Sequence, residues 1–217
     1  MRNYSKIEVI IFDMDGVLIE AKEWHYDSLN KALKLFGFHI SRHEHLTSYD
    51  GLPTKKKLEM LTLDSGLPKE LHAFINEMKQ IYTMEIIHTL CRPRFVHEYA
   101  LSQLKNAGYR MAVASNSIRP TIDVMMDKAR LRHYLEATFS AEDVIKGKPH
   151  PEIYCKAISH FGVRPDQCLV VEDNENGIKA AYASGAHVLV VRDVAETNFD
   201  NIMMRINEIN TTLKQVA

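Results

Sequence analysis

Cysteine is scarce in this chain, and its placement excludes two common uses of the residue. Cys91, Cys155 and Cys168 are odd in number, widely separated and include no C-x-x-C pair. Neither a disulfide framework nor a zinc site is therefore expected. Because structural disulfides are rare in reducing compartments, this cysteine usage fits a cytoplasmic protein.

An excess of one charge is also missing, since 27 Lys and Arg face 28 Asp and Glu, for a formal net charge of -1. This balance gives no electrostatic reason to expect nucleic acid or an anionic membrane as a partner. No run approaches the roughly 20 apolar residues of a membrane span, so we expect neither secretion nor membrane insertion. Dinucleotide and P-loop motifs are absent as well, which gives no support to nicotinamide redox or P-loop NTPase chemistry.

What the chain does contain is an alternation of strand and helix patterns. Apolar, β-branched runs predict strands at 7–12, 110–114 and 168–171, with shorter ones at 137–139 and 187–191. Strands that alternate with helices predict an α/β fold with a doubly wound, parallel sheet. Residues 21–90 read as helical throughout, so we predict a helical domain there, inserted into a core formed by residues 1–20 and 91–217.

Polar residues follow three of the predicted strands. Asp13 and Asp15 end the first strand, and residues i and i+2 of extended chain point to the same side. Two carboxylates at such a short separation resist joint ionisation unless a cation lies between them or one of them keeps its proton. An acidic turn is the structural alternative. Ser115 and Asn116 end the second strand, where a helix cap is the alternative, and Glu172 and Asp173 end the fourth, where a turn is the alternative.

The carboxyl ends of parallel strands meet at one edge of an open sheet, where ligands bind. Lys148 lies in a Gly-Lys-Pro segment before a predicted helix and can join this edge, although a solvated lysine is the alternative. A hydroxyl, a lysine and four carboxylates gathered there would suit a phosphate and a hard cation such as Mg²⁺, which prefers oxygen ligands.

Four motifs in order resemble the haloacid dehalogenase-like superfamily of phosphotransferases. They are D-M-D-G-V at 13–17, A-S-N-S at 114–117, K-P-H-P-E at 148–152 and E-D-N-E-N-G at 172–177. The resemblance implies a Rossmann-like core with a helical cap between the first two motifs, and the nearest likeness is the β-phosphoglucomutase-like and phosphatase branch.

The resemblance also implies roles for these residues. Asp13 would be the nucleophile that forms an aspartyl phosphate, and Asp15 the general acid and base. Ser115, the amide of Asn116 and Lys148 would hold the phosphoryl oxygens. An acid two residues after the nucleophile indicates phosphoryl transfer rather than dehalogenation, because a leaving halide needs no proton.

The cofactor implied by the resemblance is Mg²⁺. The Asp13 side chain, the Asp15 main-chain oxygen and Asp173 would hold it, with Glu172 supporting or ligating. The cation would offset the repulsion between an anionic nucleophile and an anionic phosphoryl group.

Substrate choice would come from the inserted helices, where the pattern is mixed. His25 follows Asp15 by ten residues, as in β-phosphoglucomutase-like proteins, whereas Ala21 and Thr54 replace a hydroxyl and an arginine usual there. Lys55 and Lys56 are candidates for contacting the substrate. Two departures from the family pattern, Glu20 and Arg94, lie near the borders of the insertion.

We therefore predict a monomeric Mg²⁺-dependent phosphatase for a small phosphorylated metabolite, with a sugar phosphate as the expected class. A phosphomutase is the first alternative. A non-catalytic regulatory protein on the same fold is the second.

Overall fold

The computed structural model describes residues 6–216, with side chains up to residue 211. Its strands form a five-stranded sheet in which every neighbouring pair is parallel. The order is β3-β2-β1-β4-β5, so the strand order reverses at β1, with β2 on one side and β4 on the other. The strands are β1 (Val9–Phe12), β2 (Arg110–Ala114), β3 (Ala137–Phe139), β4 (Cys168–Glu172) and β5 (His187–Val190).

The predicted α/β fold with a parallel, doubly wound, Rossmann-like sheet is confirmed. All residues of β1 are buried, as expected for a central strand covered on both faces. The chain divides into two compact units, and the sheet lies in the first, residues 1–20 and 92–217. The helices of this unit are α5 (Phe95–Asn106), α6 (Arg119–Lys128), α7 (Glu152–Phe161), α8 (Glu175–Ala183) and α9 (Phe199–Val216).

Helix α7 shows how the sequence positions a helix against this sheet. Its buried residues recur on one face, and they join sheet residues such as Val9 and Ile11 in one hydrophobic core. The helix ends at Gly162, whose φ of 67° is the left-handed conformation that favours glycine. This packing fixes the helix that follows Lys148. The buried residues of α7 are Ile153, Tyr154, Ala157, Ile158 and Phe161.

The second compact unit is residues 21–91, and its described elements are all helical. Helices α1 and α4 pack along each other, and Leu29, Leu33 and Ile75 lie in their shared core. Gly66, with φ 73°, ends α3. Within residues 6–216, no helix is long and apolar enough to cross a bilayer. The elements are α1 (Lys22–Lys34), α2 (Arg42–Glu44), a π-helical turn (His45–Tyr49), α3 (Thr54–Ser65) and α4 (His72–Leu90).

Several boundaries differ from the sequence-based prediction. The first strand begins at Val9 rather than at residue 7. Helix α8 begins at Glu175, two residues before Gly177, where the sequence pattern predicts its start, because the Asn174 side chain caps its first turn. Helix α9 was not predicted. Its buried residues Ile202, Ile206 and Ile209 recur at helical spacing, so the pattern needed to find it is present in the sequence.

Candidate active site

The turn after β1 places two carboxylates at the carboxyl edge of the sheet. The backbone amide of Asp13 donates to the carbonyl of Val171 at 3.0 Å, which continues the pairing of β1 with β4. Gly16 then adopts a φ of 95°, and its amide donates to the carbonyl of Ile19 at 2.7 Å. Only glycine adopts this conformation readily, so Gly16 lets the chain turn back directly after Asp15.

The loop after β2 brings hydroxyl groups to Asp15. The Ser117 hydroxyl donates to Asp15 Oδ2 at 3.1 Å, and the Ser115 hydroxyl lies 3.5 Å from the same oxygen. The amide of Ser117 donates to Ser115 Oγ at 3.0 Å, so the two serines form one tight turn. Ser117 belongs to a motif recognised in the sequence but had no predicted role; its contact with Asp15 depends on tertiary structure.

The loop that carries Lys148 is held against the same turn by Asn116. The Lys148 amide donates to Asn116 Oδ1 at 3.0 Å, and Asn116 Nδ2 lies 3.4 Å from the Lys148 carbonyl. A Cβ added to Gly147 would lie 2.8 Å from Asn116 Oδ1, so a side chain there would push the two loops apart. The glycine allows their close approach.

The Lys148 ammonium is buried and has three oxygen partners. It lies 2.6 Å from Asp13 Oδ1, 2.7 Å from Glu172 Oε1 and 2.9 Å from the carbonyl of Ala114. An ammonium has three donors, and these contacts use all of them. The carboxyl ends of β1, β2 and β4 therefore all lie beside this one ammonium group.

A group of acidic side chains at this edge has the chemistry to hold a metal. One carboxylate oxygen each of Asp13, Glu172 and Asp173 lie within 4.8 Å of one another. Three carboxylates facing a single ammonium leave negative charge to be balanced, and hard oxygen donors suit Mg²⁺. The residues therefore fit the cation expected from the sequence.

The pKa values in this group follow from burial and charge. Burial raises the pKa of Asp13 well above its usual value, Lys148 opposes this, and the carboxylates of Glu172, Asp173 and Asp15 raise the pKa further. Burial by itself lowers the pKa of Lys148, but Asp13 and Glu172 together raise it above its usual value. Lys148 is therefore charged at neutral pH, and a further cation would favour ionised Asp13.

Tyr154 is a second residue of this site to which the sequence assigned no role. Its hydroxyl donates to Glu172 Oε1 at 2.5 Å. Burial, followed by the charge of Glu172, raises the pKa of Tyr154 well above its usual value, so the hydroxyl keeps its proton. In the sequence it looks like one more core position of an amphipathic helix, which hides its polar contact.

The two departures from the family pattern near the insertion contact each other. Arg94 Nη2 lies 2.7 Å from Glu20 Oε2, and both side chains are largely exposed. An exposed pair of this kind contributes about 1 kcal/mol or less to stability.

The specificity residues predicted in the helical insertion lie in the second unit. His25, on α1, has Nδ1 3.2 Å from the ammonium of Lys79 on α4. Lys55 and Lys56 are exposed in the first turn of α3, and Lys56 lies 3.9 Å from Glu59. Lys79 was not predicted, and it is buried with only 7% of its surface exposed. The sequence offered no clear signal, because α4 carries several other polar residues, among them Glu77 and Gln80.

Comparison with known proteins identifies the family. The profile of the haloacid dehalogenase-like hydrolases matches residues 10–191. The fructose-1-phosphate phosphatase of Escherichia coli is 25% identical over 189 residues, covering 87% of this chain and 98% of that protein. A phosphoglycolate phosphatase of Aquifex aeolicus is 26% identical over 179 residues, covering 82% of each chain.

The crystal structure of β-phosphoglucomutase from Clostridium difficile has the same fold, with a TM-score of 0.81 at 22% identity over 94% of this chain and 99% of that one. The predicted resemblance and the predicted enzyme class, a hydrolase of the phosphatase type, are confirmed by the profile and by these relatives. Since the profile spans most of the sequence, this chain belongs to the haloacid dehalogenase-like hydrolase family.

Proposed function

We propose that this protein is a Mg²⁺-dependent phosphatase that hydrolyses a small phosphorylated metabolite, a sugar phosphate, through an aspartyl phosphate on Asp13. The observation that carries the proposal is the buried contact of 2.6 Å between Asp13 and Lys148 at the carboxyl edge of the sheet. A carboxylate nucleophile and a fixed positive charge are what an incoming phosphoryl group requires.

In the first step, a carboxylate oxygen of Asp13 attacks phosphorus, and the bond from phosphorus to the ester oxygen breaks. The leaving oxygen takes a proton from Asp15, two residues further along the turn. Lys148, which exchanges one of its three contacts for a phosphoryl oxygen, acts with the Ser115 hydroxyl and the Asn116 amide to hold the phosphoryl oxygens as their charge redistributes.

In the second step, water attacks the phosphorus of the aspartyl phosphate. Asp15, now ionised, accepts the proton of that water, and the Asp13 carboxylate leaves with the electron pair of the broken bond. One residue therefore gives a proton in the first step and takes one in the second. The hydroxyl of Ser117, 3.1 Å from Asp15 Oδ2, supports the orientation that both transfers need.

Asp13, Asp173 and the main-chain oxygen of Asp15 would hold Mg²⁺, with Glu172 beside them. When bound, the cation supplies positive charge that offsets the repulsion between nucleophile and substrate. The acidic cluster supports this assignment, because Lys148 alone does not balance its carboxylates.

The second unit, residues 21–91, is the proposed cap that selects the substrate. His25 and Lys79 lie side by side within it and offer a polar pair to a sugar or a second anionic group. Lys55 and Lys56 are further candidates, because they are exposed and cationic. The fructose-1-phosphate phosphatase among the relatives supports a sugar phosphate as the substrate class.

The remaining parts of the proposal are a cytoplasmic, monomeric enzyme whose partner is a small metabolite. Cys91, Cys155 and Cys168 form no disulfide in the part of the chain that the structure describes, and this supports a reducing compartment. The near-neutral charge supports neither nucleic acid nor an anionic membrane as a partner.

A panel of phosphorylated sugars, polyols and nucleotides, assayed with Mg²⁺ for free phosphate, tests the proposal. We expect a sugar phosphate among the best substrates, no release in EDTA, and less than about a hundredth of the wild-type rate for Asp13→Asn. Full activity in chelator, restoration by Zn²⁺ alone or an active Asp13→Asn variant would contradict it.

A second assay distinguishes a phosphomutase from a phosphatase. The enzyme is supplied with β-glucose 1-phosphate and a trace of the 1,6-bisphosphate. Rapid formation of glucose 6-phosphate without matching phosphate release would replace the phosphatase proposal by a mutase. Slow or absent conversion, together with hydrolysis of another sugar phosphate, would support the phosphatase.

A further inference from the structure

Tyr154 is a fully buried polar residue beside the candidate active site, and none of the steps above uses it. It lies on α7, which packs against the sheet, and its hydroxyl donates to Glu172 Oε1 at 2.5 Å. A tyrosine hydroxyl is costly to bury without a partner, and a phenylalanine would fill the same core position. The contact with Glu172 therefore indicates what the hydroxyl is for.

Donors from the chain occupy both carboxylate oxygens of Glu172. Oε1 accepts from Lys148 at 2.7 Å and from Tyr154, while Oε2 accepts from the amides of Asp173 at 3.1 Å and Asn174 at 3.4 Å. A carboxylate has about four lone-pair directions, so these four contacts use its capacity. This arrangement suits a buried counter-ion that orients its neighbours better than it suits a direct metal ligand.

The ring of Tyr154 contacts the other partner of Glu172. Lys148 Nζ lies 4.7 Å from the ring centroid, within the range of a cation–π interaction. Tyr154 thus contacts Glu172 through its hydroxyl and Lys148 through its ring. On another side of Glu172, a Cβ added to Gly177 would lie 1.8 Å from Oε1, so α8 also limits where this carboxylate can be.

We propose that Tyr154 is a positioning residue that holds Glu172 as the orienting partner of Lys148. The inference rests on the proposed function, in which Lys148 binds the phosphoryl group and Asp13 and Asp173 bind the metal. Loss of the hydroxyl would leave Glu172 and Lys148 less constrained, without removing a metal ligand.

Tyr154→Phe tests this, because it keeps the ring and the core packing and removes only the hydroxyl. Tyr182→Phe is the matched control, a tyrosine on α8 with 60% of its surface exposed. Titration calorimetry would measure binding of Mn²⁺ to the free protein and of inorganic phosphate to the Mg²⁺-loaded protein. Circular dichroism would establish that each variant is folded.

For Tyr154→Phe we expect phosphate to bind about fivefold more weakly, the scale of one ordinary hydrogen bond, because the lost contact acts on phosphate only through Lys148. The Mn²⁺ dissociation constant should stay within about twofold of wild type, because its ligands are unchanged. Tyr182→Phe should match wild type in both. Unchanged phosphate binding, or Mn²⁺ and phosphate weakened equally, would overturn the inference.

An NMR signal from Lys148 tests this inference independently of the proposed function, because it requires neither phosphate binding nor turnover. A buried, hydrogen-bonded ammonium exchanges slowly, so Lys148 should give an NMR signal that is lost in Lys148→Met. We expect that signal to broaden in Tyr154→Phe and to persist in Tyr182→Phe; persistence in both would overturn the inference. If wild type binds no phosphate, the proposed function fails and this signal still decides the role of Tyr154.

Should Tyr154→Phe not fold, the unmutated protein supplies the test. A hydroxyl that donates to a carboxylate at 2.5 Å should give a slowly exchanging, downfield proton with a cross-peak to the Lys148 ammonium. A rapidly exchanging hydroxyl proton would overturn the inference.

Discussion

Lys148 Nζ lies 2.6 Å from Asp13 Oδ1, and the same ammonium lies 2.7 Å from Glu172 Oε1. One buried cation therefore joins the carboxylates that end two neighbouring strands. Removing one member of a buried ion pair leaves an uncompensated charge, which costs more than the pair itself contributes. This contact therefore contributes to the stability of the protein and to the proposed phosphoryl transfer.

Lys148→Met should lower both stability and activity. We expect the free energy of unfolding to fall by about 3 kcal/mol, the scale for a broken buried pair, and phosphate release to become undetectable. Because Asp13 and Glu172 would then lack their ammonium, saturating Mg²⁺ should raise the midpoint of thermal unfolding more in the variant than in wild type. The control is Lys146→Met, an exposed lysine two residues earlier. Equal stability of the variant and wild type would contradict the bridging role.

Ser117→Ala should impair the acid and base steps without weakening substrate binding. The hydroxyl donates to Asp15 Oδ2 at 3.1 Å, so its loss frees the carboxylate to rotate. We expect kcat to fall at least about tenfold, the scale of one hydrogen bond to a charged group, with KM unchanged. Ser117→Thr keeps a hydroxyl and should recover most of the rate. If kcat is unchanged in Ser117→Ala, this hydroxyl does not orient Asp15.

Gly177→Ala tests the close approach of α8 to Glu172. In an ordinary helix this substitution would stabilise the protein by up to about 1 kcal/mol. Here the new Cβ would lie 1.8 Å from Glu172 Oε1, so the carboxylate or the helix must move. We expect the variant to be less stable and its kcat/KM to fall by about a hundredfold, as for a displaced active-site group. Lys179→Ala, an exposed change on the same helix, should do neither.

His97 should make stability depend on pH. Its Nε2 lies 2.7 Å from the carbonyl of Val194, and burial lowers its pKa. Between that lowered pKa and the unfolded value of about 6.5, the unfolded chain binds more protons, so the free energy of unfolding falls as pH decreases. His97→Gln keeps an N–H donor and should flatten this slope below about pH 6.5 in denaturant titrations. Parallel slopes for the two proteins would exclude His97 as the source.

Much of the fold and of the site could be predicted because those features are local in sequence. An apolar run followed by Asp13 and Asp15 specifies a buried strand and the charged turn after it. Strand and helix patterns then indicate the parallel sheet, which brings Lys148 and Asp173 to the same edge. Segments with strong periodicity were found within a few residues of their observed limits.

The features that were missed depend on distant parts of the chain. Tyr154 reads as a core residue, because its hydroxyl donates to Glu172, which lies 18 residues away in the sequence. Ser117 meets Asp15 across 102 residues, and Lys79 meets His25 across 54. Sequence periodicity reports burial of a side chain but not the identity of its partner.

The aspartyl phosphate on Asp13 is tested most directly in the Asp15→Asn variant with acetyl phosphate and Mg²⁺. Because acetate leaves readily without a proton, the first step should proceed, whereas the second lacks its base and the phosphorylated protein should accumulate. After acid quench and digestion, we expect mass spectrometry to find one phosphoryl group on Asp13, and none when EDTA is present. A phosphoryl group on another residue, or none on Asp13 under these conditions, would contradict the assignment of Asp13 as the nucleophile.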